Sequence, residues 1–401
     1  MRRLCAALAW LRCSEVKMRR VLFVDHVDRI LGGAEINLIE LIEEAKKRGE
    51  WEIAVACRKS SALSLILDDL RVQQFDYGFD ARLNQLRFAG KQFPWSGIVG
   101  GMRALQGARQ KLERVVAEFN PAVVLSCTNK DHFAASSLSA KCVWWVNDLL
   151  TEDFFSWPAR LAFRRYSSRA ARLVPVSNCV RDALVKLGIP HEKISVIHNG
   201  VPLRKYSGGQ ASEFRSLNKI ADAEPVFGLV GRICQWKGHE LFERIAGEWT
   251  GEGRAGRFMM IGASFNEDRP FMHWLEKSAR HAEFAITPYH IKDTLAGLDA
   301  LLHTSLRPEP FGRVIIEAMA AGVPVIAADA GGAREIIRSG ENGYLARVGD
   351  ANDYKEKLKL LHPRTREVDR IIANARATVA ERFTVERVYR HFNELFSHAL
   401  T

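Results

Sequence analysis

Two series of short apolar segments alternate with helical patterns along this chain, and this alternation is the strongest constraint on its fold. The first series contains the strand-like runs RRVLFVDHV, WEIAVAC, PAVVLSC, CVWWVND and RLVPVS. The second series contains PVFGLVGRI, RFMMIGA, EFAITP, DALLHTS, PVIAADAG and GYLARV. Strands that alternate with helices predict a parallel sheet covered by helices on both faces.

The length of 401 residues leaves room for two such sheets. We therefore predict an α/β protein with two doubly wound, Rossmann-like domains that face a central cleft. The predicted N-terminal domain covers residues 18–200 and the C-terminal domain residues 201–380. Residues 1–17 are interpreted as an N-terminal extension, because a second start-like sequence, MRRVLFV, follows them. Residues 381–401 are predicted to form an amphipathic helix.

Between the two series lies VIHNGVPLRKYSGGQASEFRSLN, which is rich in Gly, Ser and Asn. Such a composition is typical of a loop. We therefore predict that this segment is a linker.

The formal net charge of +11 favours an anionic partner: nucleic acid, a phosphorylated small molecule or an acidic membrane surface. Simple solubility is the alternative. The basic residues match neither an RRM signature nor a helix-turn-helix, so nucleic-acid binding is not favoured. The seven cysteines are scattered without a C-x-x-C pair, which indicates reduced thiols in a cytosolic protein and supports neither a zinc knuckle nor a redox motif.

The common nucleotide-binding motifs are missing from the sequence. It contains neither G-x-G-x-x-G tightly after the first strand nor G-x-x-x-x-G-K-[ST], so a hydride-transfer enzyme and a P-loop NTPase are poorly supported. The loop after the first strand ends in Gly32 and Gly33, before a helix. Backbone amides there can approach an anion, although a tight turn is the alternative reading.

Two stretches of the second series carry charged residues at strand ends. In GLVGRICQWKGHELF, Arg232 and Lys237 follow a strand and can hold a diphosphate, whose departure they would stabilise. In RPEPFGRVIIEAMAAG, Gly312 opens a helix, Glu309 precedes it and Glu317 lies within it. A carboxylate among aliphatic residues is costly unless it is hydrogen-bonded, and ribose hydroxyls would serve. Ordinary surface charges are the alternative for all four charged residues.

Taken together, these stretches resemble the large retaining group of nucleotide-sugar glycosyltransferases with the GT-B fold, of the family 4 type (glycosyl transferases group 1). The similar segments are GRICQWKG, PEPFGRVIIEAMAAGVPVIAADAGGAREII and SGENGYL, with GGAE, VSNCVRDAL and VIHNGV as weaker matches. The signature of that group is two glutamates separated by seven residues, matched here by Glu309 and Glu317. The resemblance covers most of the chain from Met18 onward.

The resemblance implies a role for each matching residue. Arg232, Lys237 and Glu309 would be catalytic: the two cations would bind the diphosphate and the acid would contact sugar hydroxyls. The implied donor-binding residues are Gly33, Thr287, Tyr289, Phe311, Gly312, Val314 and Glu317. Relatives often carry a histidine where WWVNDLL stands here, so Asn147 and Asp148 are the acceptor-side candidates. His26 and His132 are further candidates near strand ends, although a structural role is the alternative for each.

The resemblance further implies transfer with retention from a nucleoside-diphosphate sugar, without a cofactor or metal. The acceptor would be a sugar or a lipid-linked molecule in cell-surface polysaccharide or glycolipid synthesis. Two basic segments, residues 82–114 and ARLAFRRYSSRAAR, can lie on anionic lipid, which predicts a cytoplasmic enzyme that is peripheral on the inner face of the membrane. The alternatives are a solvated basic face, a sugar-nucleotide epimerase or hydrolase of the same fold, and a non-catalytic relative that binds nucleotide sugars.

Overall fold

The computed structural model of the chain describes residues 18–26, 32–77, 98–151, 156–287 and 291–399. The predicted extension, residues 1–17, lies outside these ranges, as do the first part of the basic segment 82–114 and the candidate Tyr289.

In the described residues the strands form two parallel sheets of six strands each. The first sheet has the order β3-β2-β1-β4-β5-β6 and consists of β1 (Arg19–Val24), β2 (Trp51–Cys57), β3 (Gln73–Asp76), β4 (Val123–Ser126), β5 (Cys142–Val146) and β6 (Arg172–Pro175). The second sheet has the order β12-β11-β10-β7-β8-β9 and consists of β7 (Val226–Val230), β8 (Arg257–Ile261), β9 (Ala282–Phe284), β10 (Ala300–His303), β11 (Val325–Ala328) and β12 (Tyr344–Ala346).

Helices connect these parallel strands, as crossover connections require. Those among the strands of the first sheet are α1 (Gly33–Arg48), α2 (Ala62–Asp69), α3 (Ile98–Phe119), α4 (Asn129–Ala135) and α5 (Trp157–Ser167). Those that follow the first sheet are α6 (Asn178–Lys186), α7 (Leu203–Tyr206), α8 (Ala211–Leu217), α9 (His239–Gly251), α10 (Arg269–Ser278), α11 (Ile291–Ala296), α12 (Arg313–Ala321), α13 (Ala333–Ile336), α14 (Ala351–Leu361), α15 (Arg366–Arg382) and α16 (Val385–Ala399).

The chain divides into two compact units, each built on one sheet. The first unit takes the chain up to Val146, the stretch that ends at Val174, and the C-terminal part from Asn393. The second takes Asn147–Thr151 and Pro175–Phe392. The predicted α/β class with two doubly wound domains is confirmed. The chain enters the second unit at Pro175, earlier than the predicted domain border at residue 200. The last helix, α16, is divided between the units, with Phe392 in the second and Asn393 in the first.

The apolar residues of each series form the core of the corresponding unit. In the second unit, the rings of Phe227, Phe242, Trp249 and Phe258 are fully buried between β7, β8 and α9. In the first unit, Leu22 and Val124 pack with the buried face of α3, which includes Leu112. Burial of this kind is worth about 1.5–3 kcal/mol for each large side chain, and it fixes where the strand ends, and therefore the loops, are placed.

The prediction that residues 196–218 form a linker is wrong, because this segment contains the helices α7 and α8. Tyr206 at the end of α7 and Phe214 in α8 are both buried in the second unit. Ser207, Gly208 and Gly209 lie in the turn between the two short helices, whereas Ser212 and Ser216 lie within α8. The described cysteines, Cys57, Cys127, Cys142, Cys179 and Cys234, are free thiols.

Candidate active site

Two loops meet at the carboxyl edge of the second sheet, because β7 and β10 are parallel neighbours. The loop after β7 carries Arg232 and Lys237, and the loop after β10 carries Glu309. Thr304 joins the two loops, since its Oγ1 donates to the carbonyl of Lys237 at 3.0 Å. Gly238, at φ +77°, lets them approach closely, because a Cβ there would overlap the carbonyl oxygen of Thr304.

The predicted catalytic residues Lys237 and Glu309 form an ion pair. Lys237 Nζ lies 2.6 Å from Glu309 Oε1, with the two side chains only 15% and 8% exposed. His303 Nε2 lies 2.7 Å from the same oxygen, and Ser305 Oγ also donates to it. Burial by itself would raise the pKa of Glu309, but Lys237 and His303 hold that pKa well below its ordinary value. Glu309 is therefore an ionised carboxylate at neutral pH.

Arg232 follows β7, and its side chain is held by residues of the loop that follows the neighbouring strand β8. Its Nε donates to Asp268 at 2.6 Å, its Nη2 donates to Glu267 at 2.5 Å, and its guanidinium lies 4.1 Å from the centre of the Phe265 ring. Although burial opposes its charge, the hydrogen bond to Asp268 raises the pKa of Arg232. Of its two acids, Glu267 is 70% exposed and Asp268 only 16%. The Arg232 guanidinium is thus held by two acids that are adjacent in the sequence, Glu267 and Asp268.

Glu317 lies on the buried face of α12. Its Oε1 accepts from Arg313 Nε at 2.6 Å and from the hydroxyl of Tyr206 at 3.1 Å. Arg313 also donates to that hydroxyl at 3.0 Å, which closes a triangle of buried groups. The alternative that Glu317 faces solvent is wrong, since the residue is only 7% exposed.

The N-terminus of α12 is formed by the remaining donor candidates. Gly312 precedes the helix at φ +95°. Phe311 is buried with its ring 5.6 Å from that of Phe383, and Val314 is half-buried in the first turn. Gly332 presses against this loop, because a Cβ there would overlap the backbone of Phe311. The amides at this helix start can therefore approach an anion.

The other candidates are placed as follows. Gly33 is the first residue of α1, and the preceding amide of Gly32 donates to Glu35 at 2.5 Å. Asn147 and Asp148 directly follow β5, the former half-buried and the latter exposed, and Thr287 is an exposed residue after β9.

The two histidine candidates of the first unit differ in their surroundings. His132 is fully buried, stacked on Trp144 with ring centres 4.9 Å apart, and burial lowers its pKa to about 3. It is therefore a neutral core residue. His26 is 14% exposed, and its Nδ1 lies 3.1 Å from Asp131.

Sequence reasoning missed Tyr206 and His303 among the residues that contact the two glutamates. Tyr206 was assigned to a linker, and the only signal for it is one aromatic residue within a polar stretch. His303 ends β10, in DALLHTS, where a polar side chain at the carboxyl end of a parallel strand is itself an indication of a ligand-facing position.

Comparison with known proteins finds two family models that match this chain. The family model described as glycosyl transferases group 1 matches residues 210–378, and that described as glycosyltransferase family 4 matches residues 31–205. A D-inositol 3-phosphate glycosyltransferase of Nocardia farcinica is 31% identical over 46% of this chain and 44% of its own length. A GDP-mannose-dependent alpha-mannosyltransferase of Mycobacterium tuberculosis is 26% identical over 57% of this chain and 54% of its own length. The chain thus spans about half the length of these curated relatives.

Among solved structures, Anabaena HepE in complex with UDP and glucose is similar, with a TM-score of 0.79 and 23% identity over 95% of this chain and 100% of the other. This likeness shows the fold, which is GT-B. Residues 210–378 belong to the group 1 glycosyltransferase family, and residues 31–205 belong to glycosyltransferase family 4.

Proposed function

We propose that this protein transfers a sugar from a nucleoside-diphosphate sugar to an acceptor hydroxyl, with retention of configuration and without a metal ion. The observation that carries the proposal is the buried Lys237–Glu309 pair beside the N-terminus of α12. It puts a cation for a diphosphate and an acid for hydroxyls next to amides suited to phosphate. The chain's similarity to a GDP-mannose-dependent alpha-mannosyltransferase and to HepE, whose structure holds UDP-glucose, supports this type of donor.

In the proposed reaction, the acceptor oxygen forms a bond to the anomeric carbon while the bond from that carbon to the β-phosphate oxygen breaks. Both events take place on one face of the sugar, so the configuration is retained. The acceptor proton passes to an oxygen of the departing diphosphate. The protein contributes positioning and stabilisation of the charge that grows on this leaving group.

Lys237 and Arg232 are the cations for that charge. The ion pair of Arg232 with the exposed Glu267 is worth at most about 1 kcal/mol, so a diphosphate can replace Glu267. The less exposed Asp268 would keep the guanidinium oriented meanwhile. Under this proposal no metal is needed to neutralise the diphosphate.

The acids would bind the neutral parts of the donor. Glu309 would accept hydrogen bonds from sugar hydroxyls and Glu317 from the ribose, while Gly312, Phe311 and Val314 would approach sugar and phosphate through their backbone. Gly33, at the start of α1, would offer its amide to the donor phosphate. Asn147 and Asp148 remain the candidates for the acceptor side.

A direct test incubates the protein with UDP-glucose, GDP-mannose and ADP-glucose in the presence of EDTA and follows sugar release and its anomeric configuration by NMR. We expect one donor to be used, with retention, and Glu309→Gln to lower its turnover at least tenfold. Glu276→Gln, on the exposed face of α10, is the matched control. An inverted product, or activity that EDTA abolishes, would contradict the proposal. Isomerisation of the donor without release would instead favour the epimerase alternative.

We further propose that the acceptor is a sugar or lipid-linked molecule, used in cell-surface polysaccharide or glycolipid synthesis at the cytoplasmic face of a membrane. In the first unit, Ser137 links α3 to the turn that follows α5: its carbonyl accepts from Arg109 at 3.0 Å and its Oγ accepts from Arg169 at 2.6 Å. The two basic segments are therefore neighbours. Among the described residues, no helix is both long and apolar enough to span a bilayer.

The solvent face of α5 supports contact with anionic lipid. Trp157 and Leu161 are 73% and 56% exposed, and the exposed Arg164 and Arg165 continue the same face. A surface with exposed apolar side chains among arginines fits the interface of an anionic bilayer, where each cation adds about 1 kcal/mol. This is the proposed contact surface.

Vesicle co-sedimentation tests this surface. We expect binding to vesicles that contain phosphatidylglycerol, weaker binding to pure phosphatidylcholine, and at least a tenfold loss in the double variant Arg164→Glu, Arg165→Glu. Trp157→Ser should also weaken binding, whereas Trp274→Ser, an exposed tryptophan of the second unit, serves as the control. Equal binding to neutral and anionic vesicles would contradict an electrostatic contact.

A further inference from the structure

The two glutamates of the site are anchored in the same manner, each through a single oxygen. Lys237, His303 and Ser305 all bond Oε1 of Glu309. Arg313 and Tyr206 both bond Oε1 of Glu317. In each case a cation and a neutral donor from a different part of the chain converge on one side of the carboxylate.

The second oxygen of each carboxylate is left for another partner. Within the described residues, Oε2 of Glu309 and Oε2 of Glu317 accept no hydrogen bond, yet neither belongs to the buried polar atoms that lack one. Both oxygens therefore keep some access to solvent. An ionised carboxylate oxygen in a nearly closed site is a strong acceptor for hydroxyl groups.

His303 is built to donate to Glu309. Its side chain is 4% exposed, its Nε2 faces the carboxylate, and its buried Nδ1 has no hydrogen-bond partner in the described part of the chain. The tautomer with the proton on Nε2 is thus the one that the site selects. The hydroxyl of Tyr354 donates a hydrogen bond to the backbone carbonyl of His303 at 2.8 Å, which fixes the backbone that carries the imidazole ring.

Tyr206 performs the same task at Glu317. Its hydroxyl accepts from Arg313 Nη2 and donates to the carboxylate, and the residue is 1% exposed. The phenol links α7 to α12. Without the hydroxyl, Arg313 would lose an acceptor and Glu317 would lose one of its two fixed donors.

We propose that His303 and Tyr206 are positioning residues: each fixes one oxygen of a glutamate and thereby turns the other oxygen toward the donor. The free oxygen of Glu309 serves the sugar hydroxyls and that of Glu317 serves the ribose hydroxyls. This inference rests on the proposed function, because it assigns these residues to the binding of a nucleotide sugar.

The two positions consequently affect different parts of the ligand. Removal of the hydrogen-bond donor at His303 should weaken binding of a nucleotide sugar. Binding of the bare nucleoside diphosphate should be unchanged, since this ligand has no sugar to contact Glu309. Loss of the hydroxyl at Tyr206 weakens both of these ligands but leaves inorganic pyrophosphate unchanged, since pyrophosphate has no ribose. A purely structural role would affect all ligands alike.

The experiment is isothermal titration of the full chain with pyrophosphate, UDP, UDP-glucose, GDP and GDP-mannose, for the unaltered protein and for His303→Leu and Tyr206→Phe. We expect about a tenfold loss for the sugar-bearing ligand only in His303→Leu. In Tyr206→Phe we expect about a tenfold loss for both nucleotide ligands. His303→Gln places an amide N–H near the position of Nε2 and should restore most of the lost affinity.

The outcomes separate the two proposals. If the unaltered protein binds none of the nucleotide ligands, both proposals are overturned. If it binds them but the variants weaken all ligands equally, or none, the positioning roles are overturned while the proposed function stands. Failure of His303→Gln to restore affinity would likewise contradict the role of the Nε2 donor.

Discussion

The two units each place a histidine against a buried carboxylate near the carboxyl edge of a parallel sheet, and they use the carboxylate differently. In the first unit Asp131 is fully buried, with Tyr77 on Oδ1 and with Thr128 and His26 on Oδ2. In the second unit, the hydrogen-bond partners of Glu309 among the described residues bond Oε1 alone. The number of carboxylate oxygens that the protein itself occupies distinguishes an internal support from a ligand-facing acid.

This difference also determines which group of each cluster can reach a ligand. In the second unit it is the acid, together with Lys237. In the first unit the acid is enclosed, and His26, which is 14% exposed, is the member near solvent. Asp131 remains ionised there, since hydrogen bonds and the nearby His26 keep its pKa below its ordinary value despite burial.

The largest expected effect comes from removal of the cation of the second cluster. Lys237→Ala should lower kcat by roughly 100- to 1000-fold, the usual cost of losing a group that stabilises developing negative charge. The fold should persist, because His303 and Ser305 still bond Glu309. Steady-state kinetics with the identified donor and circular dichroism check both statements. Lys277→Ala, at an exposed position of α10, is the control, and a Lys237→Ala enzyme with near-normal turnover would refute the role.

A paired substitution of the two acids tests the contrast itself. Asp131→Asn should lower the free energy of unfolding by roughly 1.5–3 kcal/mol, because its donors lose a charged acceptor, and should leave the Kd of the donor unchanged. Glu309→Gln should weaken binding of the nucleotide sugar. Urea unfolding and donor titration of both variants give the comparison. If Asp131→Asn weakened binding of the nucleotide sugar as much as Glu309→Gln does, the distinction between an internal support and a ligand-facing acid would be contradicted.

The smallest expected effect concerns pH. His132 is neutral in the folded state with a pKa of about 3, whereas in the unfolded chain its pKa is about 6.5. The unfolded state therefore binds the extra proton below about pH 6.5, and stability falls as the pH falls from there toward 3. Between pH 7 and 5.5 this costs about 1 kcal/mol.

Urea unfolding at those two pH values measures this cost. His132→Asn should remove it, because asparagine does not titrate and can keep the bond to Ser126. The second unit also has a buried histidine, His239, whose pKa is lowered to about 4 mainly by burial. His239→Asn should behave alike in its own unit. An unchanged pH dependence in both variants would show that neither histidine is responsible.

The strands and both glutamates are predictable from the sequence because their signals are local. Apolar runs predicted eleven of the twelve strands in the described residues, and Glu309 and Glu317 lie within one continuous motif. By contrast β3 (Gln73–Asp76) went unrecognised: it is an edge strand with mostly polar residues and partial exposure, so it lacks the apolar pattern.

The partners of the two acids are harder to predict because they are distant in the sequence. Tyr206 reaches Glu317 across 111 positions, and Lys237 reaches Glu309 across 72. Only the order of the strands in the sheet brings such residues together. The motif predicted which residues carry charge, and the packing determined which oxygen of each carboxylate remains available.

The most direct test of the account is a thermal-shift measurement with UDP-, GDP- and ADP-sugars in the presence of EDTA, on the unaltered protein and on Glu317→Ala. Binding stabilises a protein by about 2.7 kcal/mol at a ligand concentration one hundred times Kd. We predict a clear upward shift of Tm with one nucleotide sugar and its loss in Glu317→Ala. An absence of any shift in the unaltered protein, or a shift of the same size in Glu317→Ala, would contradict the assignment of this site to a nucleotide-sugar donor.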